Sequence, residues 1–197
     1  ASDVYKRQEY SLSVWNLVKI GTDAGVIVVA AAGNGNENLD DAANAAYMAR
    51  GDSGAIIVGA GSPNTNHNKL GFSTHGSRVD VQAFGNSVLT CGEGDFADHS
   101  GDNLQTYTLF SGTSSASACV AGVCCLLQCY ARTVLGTTLT PAEMRSHLKA
   151  TGFPQGTGGN IGPAVSLVGA KNGLPTEPFS IKMFDPGTAS ASLGFYG

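Results

Sequence analysis

The chain has 197 residues, enough for one domain with a sizeable core, and its 42% hydrophobic and 13% charged content is that of a soluble globular protein. A formal net charge of -4 with no basic run argues against nucleic acid or an anionic membrane surface as a main partner. No internal repeat or low-complexity run divides the chain, and its 27 glycines imply a turn-rich α/β protein.

In chain order, Ala1–Gln8 reads as a translated sequencing-adapter scar and is set aside. The true reading frame is then expected to continue upstream. From Glu9, the spacing of Val14, Leu17 and Val18 beside Trp15 predicts an amphipathic helix closing at Gly21. The continuous apolar, β-branched run from Gly25 to Gly33 predicts a central parallel strand covered on both faces, ending at Asn34. Helix, short loop and strand form an α/β unit, and sites in such sheets lie at the carboxyl ends of strands.

Asn36, Asn38, Asp40 and Asp41 form a polar cluster without the Gly anchor and closing Glu of a calcium loop, and are read as a solvated surface loop. Ala55–Gly61 predicts a second buried strand. Asp80, alternating with Val79 and Val81, is read as a structural hydrogen-bonding carboxylate. Thr106–Phe110 predicts a last short strand.

Beyond it, Gly112-Thr113-Ser114-Ser115-Ala116-Ser117 precedes an apolar run through Gln128 that predicts a helix buried on every side. Ser114 thus sits at a helix N-terminus, where unpaired N–H groups and the helix dipole stabilise negative charge. Taken alone, this is an ordinary Ser cap on a core helix. Gln128 and Arg132 are expected to interrupt the run short of membrane-spanning length. Four of the five cysteines (Cys119, Cys124, Cys125, Cys129) fall in this helix and are read as small buried hydrophobes, not a disulfide framework or metal site. Thr140-Pro141-Ala142-Glu143 is a capping box opening a helix to about Ala150.

The motif Gly112–Ser117, with Val120-Ala121-Gly122, resembles the nucleophile signature of the subtilisin-like serine proteases (subtilases), although Ala118-Cys119 stands where the family has Pro-His. Val28–Asn34 is similar to the subtilase strand whose terminal Asn donates to the oxyanion, and the two motifs occur in the family's order. The resemblance spans about Glu9 to Gly169. It implies a three-layer α/β domain with a mostly parallel sheet and helices on both faces, incomplete at the N-terminus, over residues 9–170. Residues 171–197 are expected to be a terminal extension.

By resemblance Ser114 is the nucleophile, Asn34 an oxyanion donor, Ala31, Ala32 and Gly33 a wall of the substrate pocket, and Gly112 and Thr113 part of the substrate-lining turn. Ala164–Val168 resembles the short closing helix. No metal or cofactor is required for the chemistry, and structural calcium is left open. The implied partner is a polypeptide substrate, with no nucleic acid or membrane. The complete protein is expected to be monomeric and extracellular.

A Ser hydroxyl needs a base and the base an orienting carboxylate. The family supplies both before the oxyanion Asn, where this sequence has no His. His67, His75, His99 and His147 are read as surface or loop residues. The chain alone is therefore expected to be inactive and aggregation-prone. The alternatives are a subtilase-derived binding or structural module that lost its catalytic pair, and an unrelated α/β hydrolase. The latter's Gly-x-Ser-x-Gly pattern is not met at Ser114.

Overall fold

The computed structural model of the chain describes residues 8–92, 97–98 and 106–174. Three parallel strands, β1 (Val29–Ala31), β2 (Ile56–Gly61) and β3 (Val81–Phe84), lie in the order β1-β2-β3. Successive side chains on a strand face opposite ways, so a strand apolar throughout feeds two cores. Along β2, Ile56 and Val58 join a cluster with Val81, Ala116, Val120, Cys124, Leu127, Met144 and Leu148, whereas Ile57, with Ala55 just before the strand, joins Ala32, Leu39, Tyr47, Val79 and Ile161.

Helix α1 (Leu12–Asp23) lies on the second face through Trp15 and Val18. Helices α3 (Thr113–Tyr130), α4 (Pro141–Thr151) and α5 (Leu167–Gly173) lie on the first, and α2 (Ala45–Met48) is a single turn. The architecture is three-layer α/β, as the sequence implied. A second, antiparallel sheet of β4 (Val88–Cys91), β5 (Ala97–Asp98) and β6 (Thr106–Phe110), in the order β4-β6-β5, delivers the chain to α3.

Several expectations are corrected. Helix α1 runs past Gly21, and its packed face is Trp15, Val18 and Thr22, leaving Leu17 exposed. Thr22 fixes that face because its hydroxyl donates to the Ser53 carbonyl at 2.5 Å. Strand β1 is shorter than the apolar run suggested and half-buried, because among the described residues it has one sheet neighbour, β2.

Helix α3 is not buried on every side. Ala116, Val120, Cys124 and Leu127 face the sheet, while Ala118, Gly122, Cys125, Leu126 and Cys129 are exposed, since no described element covers them. Cys125 and Cys129 are therefore not core residues. Gln128 and Arg132 do not interrupt it either: Thr113–Leu135 is one continuous helical stretch of 23 residues, long and apolar enough by composition to cross a bilayer, with one face packed on the sheet. Gln128 exchanges two hydrogen bonds with the Leu139 backbone (2.9 and 3.0 Å).

The closing helix begins at Leu167 instead of Ala164. Ala164 pairs with Phe153 and Gln82 in extended backbone, and Ser166 supplies the cap through Gly169 N at 3.0 Å. That helix continues through Lys171 to Gly173, and residues 175–197 lie outside the described part. The capping box at Thr140 forms as read, with reciprocal bonds between Thr140 and Glu143.

Candidate active site

Strand β6 ends at Phe110, and three residues later the chain must turn into α3. Gly112 makes the turn at φ +104°, a conformation open to glycine at little cost, with its N–H bonded to the Gly85 carbonyl at 2.8 Å. A Cβ at Gly112 would lie 3.3 Å from Asn34 Nδ2, so the missing side chain also admits Asn34. Thr113 then opens the helix, and Ser114, in its first turn, is exposed.

The strand end reaches this turn through a short relay. Gly33, at φ +101°, donates its N–H to Thr113 Oγ1 at 3.1 Å. That hydroxyl donates to Asn34 Oδ1 at 2.9 Å, and the Thr113 N–H donates to the same oxygen at 2.9 Å. A backbone N–H can only donate, so the Asn34 atom facing it is the oxygen. Asn34 Nδ2, the donor end, is thereby held on the side of Gly112. The Ser114 N–H is among the first four of α3, which have no intrahelical acceptor. The Asn34 amide is thus tied to the residue before Ser114, and the exposed Ser114 hydroxyl lies at the positive end of an 18-residue helix, where negative charge is favoured.

The remaining residues singled out in the sequence are placed as follows. Gly33 is clamped on both sides, since its carbonyl also accepts from Thr74 N at 3.0 Å. The Ala32 side chain is fully buried in the second core, so it offers a pocket only its backbone, whereas Ala31 is half-buried at the end of β1. His67 stacks on Phe153, and His147 Nε2 contacts the Ala170 carbonyl. His75 lies against Gly159 in the loop that pairs with Leu39; His99 lies outside the described residues. Among the described residues, then, no hydrogen bond joins a histidine to Ser114. In the Asn36–Asp41 loop, Asn38 Nδ2 donates to Asp41 Oδ1 (2.8 Å) and Asp40 accepts from Ser77. No group of three His, Cys, Asp or Glu side chains among the described residues could hold a metal ion.

Asp80 is the structural carboxylate the sequence suggested. It is buried, accepts from Ile57 N at 2.9 Å, and pairs with Arg78 at 2.9 Å and Lys149 at 3.5 Å. What the sequence missed is the surrounding network. Arg78 also reaches Asp52 at 3.1 Å and Glu9 at 3.7 Å, Arg145 pairs with Asp52, and buried Glu9 accepts from Tyr47 and Ser53. Burial pushes the Asp52 carboxyl up, but the Arg145 hydrogen bond, the Gly54 N–H and the charges of Arg78 and Arg145 outweigh it and bring its pKa down to about 2. These partners come from five separated segments, so no local pattern announces them. Thr113 was legible as part of a motif, but its part in orienting Asn34 depends on a strand end 79 residues away.

A family model described as the subtilase family matches residues 2–175. The chain belongs to the subtilase family. This subtilase is 32% identical over 158 residues to an extracellular protease of Xanthomonas campestris pv. campestris, covering 79% of the chain and 25% of that protein. It is 34% identical to subtilisin DY of Bacillus licheniformis over 133 residues, covering 65% of the chain and 40% of the relative. Among solved structures, a protease of Pseudoalteromonas arctica superposes with a TM-score of 0.61 at 27% identity, covering 82% of this subtilase and 47% of that chain. The subtilase chain thus spans between a quarter and a half of the length of these relatives.

Proposed function

We propose that this chain supplies the nucleophile and oxyanion-binding part of a serine endopeptidase acting on polypeptides. Ser114 Oγ attacks the scissile carbonyl, and Asn34 Nδ2 with the Ser114 N–H receives the charge that develops on its oxygen. The bond between Thr113 and Asn34 carries the reading, because it aims an otherwise ordinary turn residue at the helix end that bears Ser114. The base that takes the Ser114 proton, and the carboxylate that orients it, are contributed by protein outside this chain, so the chain alone is inactive or nearly so. The Ala31–Gly33 backbone and the Gly112–Thr113 turn line the site for the side chain preceding the cleaved bond. Its relative in Xanthomonas is named an extracellular protease, and the same location is proposed here.

A fluorophosphonate tests this directly: Ser114 Oγ displaces fluoride at phosphorus, and mass spectrometry locates the adduct. The 197-residue chain should label far more slowly than an intact subtilase, with the Ser114→Ala variant unlabelled. Adding polypeptide that supplies the missing pair should accelerate labelling, and Asn34→Ala should then slow turnover by about 10²–10³, a figure measured on a subtilisin and carried over from it. Failure of Ser114 to label under complementation would leave a non-catalytic binding module as the reading.

A further inference from the structure

Asn34 is followed by Gly35, and Asn172 of α5 by Gly173; no other Asn-Gly pair occurs in the chain. In such a pair the glycine nitrogen, unhindered by a side chain, can attack the Asn side-chain carbon Cγ, one reason Asn is a thermolabile residue. Both glycines are exposed, so solvent access does not distinguish the pairs. Hydrogen bonding does. Gly173 is the last residue of α5, and its N–H belongs to the helical ladder. Asn34-Gly35 lies at a bend beyond β1, and among the described residues neither of its backbone N–H groups has an acceptor. The residues on either side are anchored, since the Gly33 carbonyl accepts from Thr74 at 3.0 Å and the Asn36 N–H donates to the Phe72 carbonyl at 2.8 Å. The attacking nitrogen is thus the free unit of a pinned loop.

The carbon under attack is activated as well. Bond formation at Cγ moves negative charge onto Oδ1, and that oxygen accepts from both the Thr113 N–H and the Thr113 hydroxyl, each at 2.9 Å. Paired donors at about 2.7–3.1 Å are what a developing oxyanion needs.

We propose that Asn34 is a self-modification site, at which the Gly35 nitrogen closes on Asn34 Cγ while Thr113 stabilises the charge on Oδ1, and the side-chain amide is lost. The Gly35 N–H gives its proton to solvent base, the N–Cγ bond forms, and the Cγ–Nδ2 bond breaks as Nδ2 takes up a proton and leaves as ammonia. Water then opens the cyclic imide at either carbonyl, leaving an aspartate or an isoaspartate in place of Asn34; nothing is oxidised or reduced. A carboxylate now stands where Nδ2 could donate, and it repels negative charge. Under the proposed function the chain therefore loses its oxyanion donor by its own chemistry, and the Thr113 contact that orients Asn34 also limits how long it lasts. That consequence rests on Ser114 being the nucleophile, but the modification itself does not.

Peptide mapping by mass spectrometry tests it on the 197-residue chain, incubated at mildly alkaline pH in water enriched in heavy oxygen, which marks each newly made carboxyl. Asn34 should be converted about tenfold faster than Asn172, the protection one hydrogen bond of the helical ladder gives the Gly173 nitrogen. In urea the two rates should converge. Thr113→Val keeps the backbone N–H but removes the hydroxyl, and should slow conversion of Asn34 several-fold. Gly35→Ala crowds the nitrogen and should suppress conversion of Asn34 while leaving Asn172 unchanged. Equal rates in the folded chain, an Asn34 that outlasts Asn172, a gap that persists in urea, or faster conversion in Thr113→Val overturns the proposal. Comparing fresh and aged chain for Ser114 labelling under complementation separates this from the proposed function. Aged chain that has lost the Asn34 amide yet labels as fast as fresh chain keeps the modification and removes Asn34 from the oxyanion role, whereas labelling with Asn34 intact throughout does the reverse.

Discussion

Asp52 shows how one carboxylate ties three segments of this protein together. It accepts from the Gly54 N–H at 2.8 Å, pairs with Arg145 of α4, and lies 3.1 Å from Arg78 ahead of β3. Because its folded pKa is depressed from 3.8 to about 2, its contribution to stability is complete above the unfolded value and is lost as pH falls from about 4 towards about 2. The side chain is half-exposed, so the contribution is modest and salt weakens it. Asp52→Asn should flatten the acid limb of the melting temperature over that window, with wild type and variant converging at the acid end. Parallel acid limbs would show that Asp52 is not coupled to folding. Asp80, by contrast, sits in the same network inside the protein, with its charge matched by Arg78 and Lys149. Its structural role was legible in the sequence from its place between two valines, since a carboxylate on a buried strand must find donors. Its distant donors were not, because the Ile57 N–H comes from β2 and Lys149 enters from α4, more than sixty residues downstream.

At the scale of elements, α3 shows what a sequence conveys about a helix and what it leaves out. Its start and its apolar character were plain, but composition does not say how many neighbours are present to cover it. The result is a helix with two chemically distinct sides. Cys124 is buried and its thiol is pushed up to about 12 by burial, with the neighbouring Cys125 adding to the shift, whereas Cys125 and Cys129 are exposed. The thiolate is the reactive form, so a thiol reagent near neutral pH should modify Cys125 and Cys129 quickly and Cys124 only on unfolding. Fast modification of Cys124 in the native protein would show that α3 does not pack on the sheet as described. The capping box of α4 was read correctly for the opposite reason: Thr140 and Glu143 satisfy one another within four residues, with Pro141 at the first helical position. The start of α5 was misplaced because Ala164 is held extended by Phe153 and Gln82, pairings that no window around residue 164 contains.

For the whole molecule, a parallel sheet covered on both faces followed from the continuous apolar, β-branched runs and from the family resemblance. The outer side of α3 and the edge strand β1 together leave apolar surface and strand hydrogen-bonding groups without a described partner. Such surfaces associate. Sedimentation of the expressed chain should show self-association that is reduced by Leu126→Ser on the outer side of α3 and strengthened by salt, as expected of apolar contacts. A monodisperse monomer with a sharp thermal transition would argue that these surfaces are covered by something within the chain.

The relay from Gly33 through Thr113 to Asn34 also sets when the site can exist. It joins residues 79 and 80 positions apart, and neither end is oriented without the other. Packing of α3 on the sheet is what brings Thr113 to the end of β1, so the relay needs that docking to be complete. A partly folded chain would thus expose the Ser114 hydroxyl without an organised place for negative charge beside it. Under the proposed function, the rate at which Ser114 is labelled on complementation would therefore follow the docking of α3 and fall as that docking loosens.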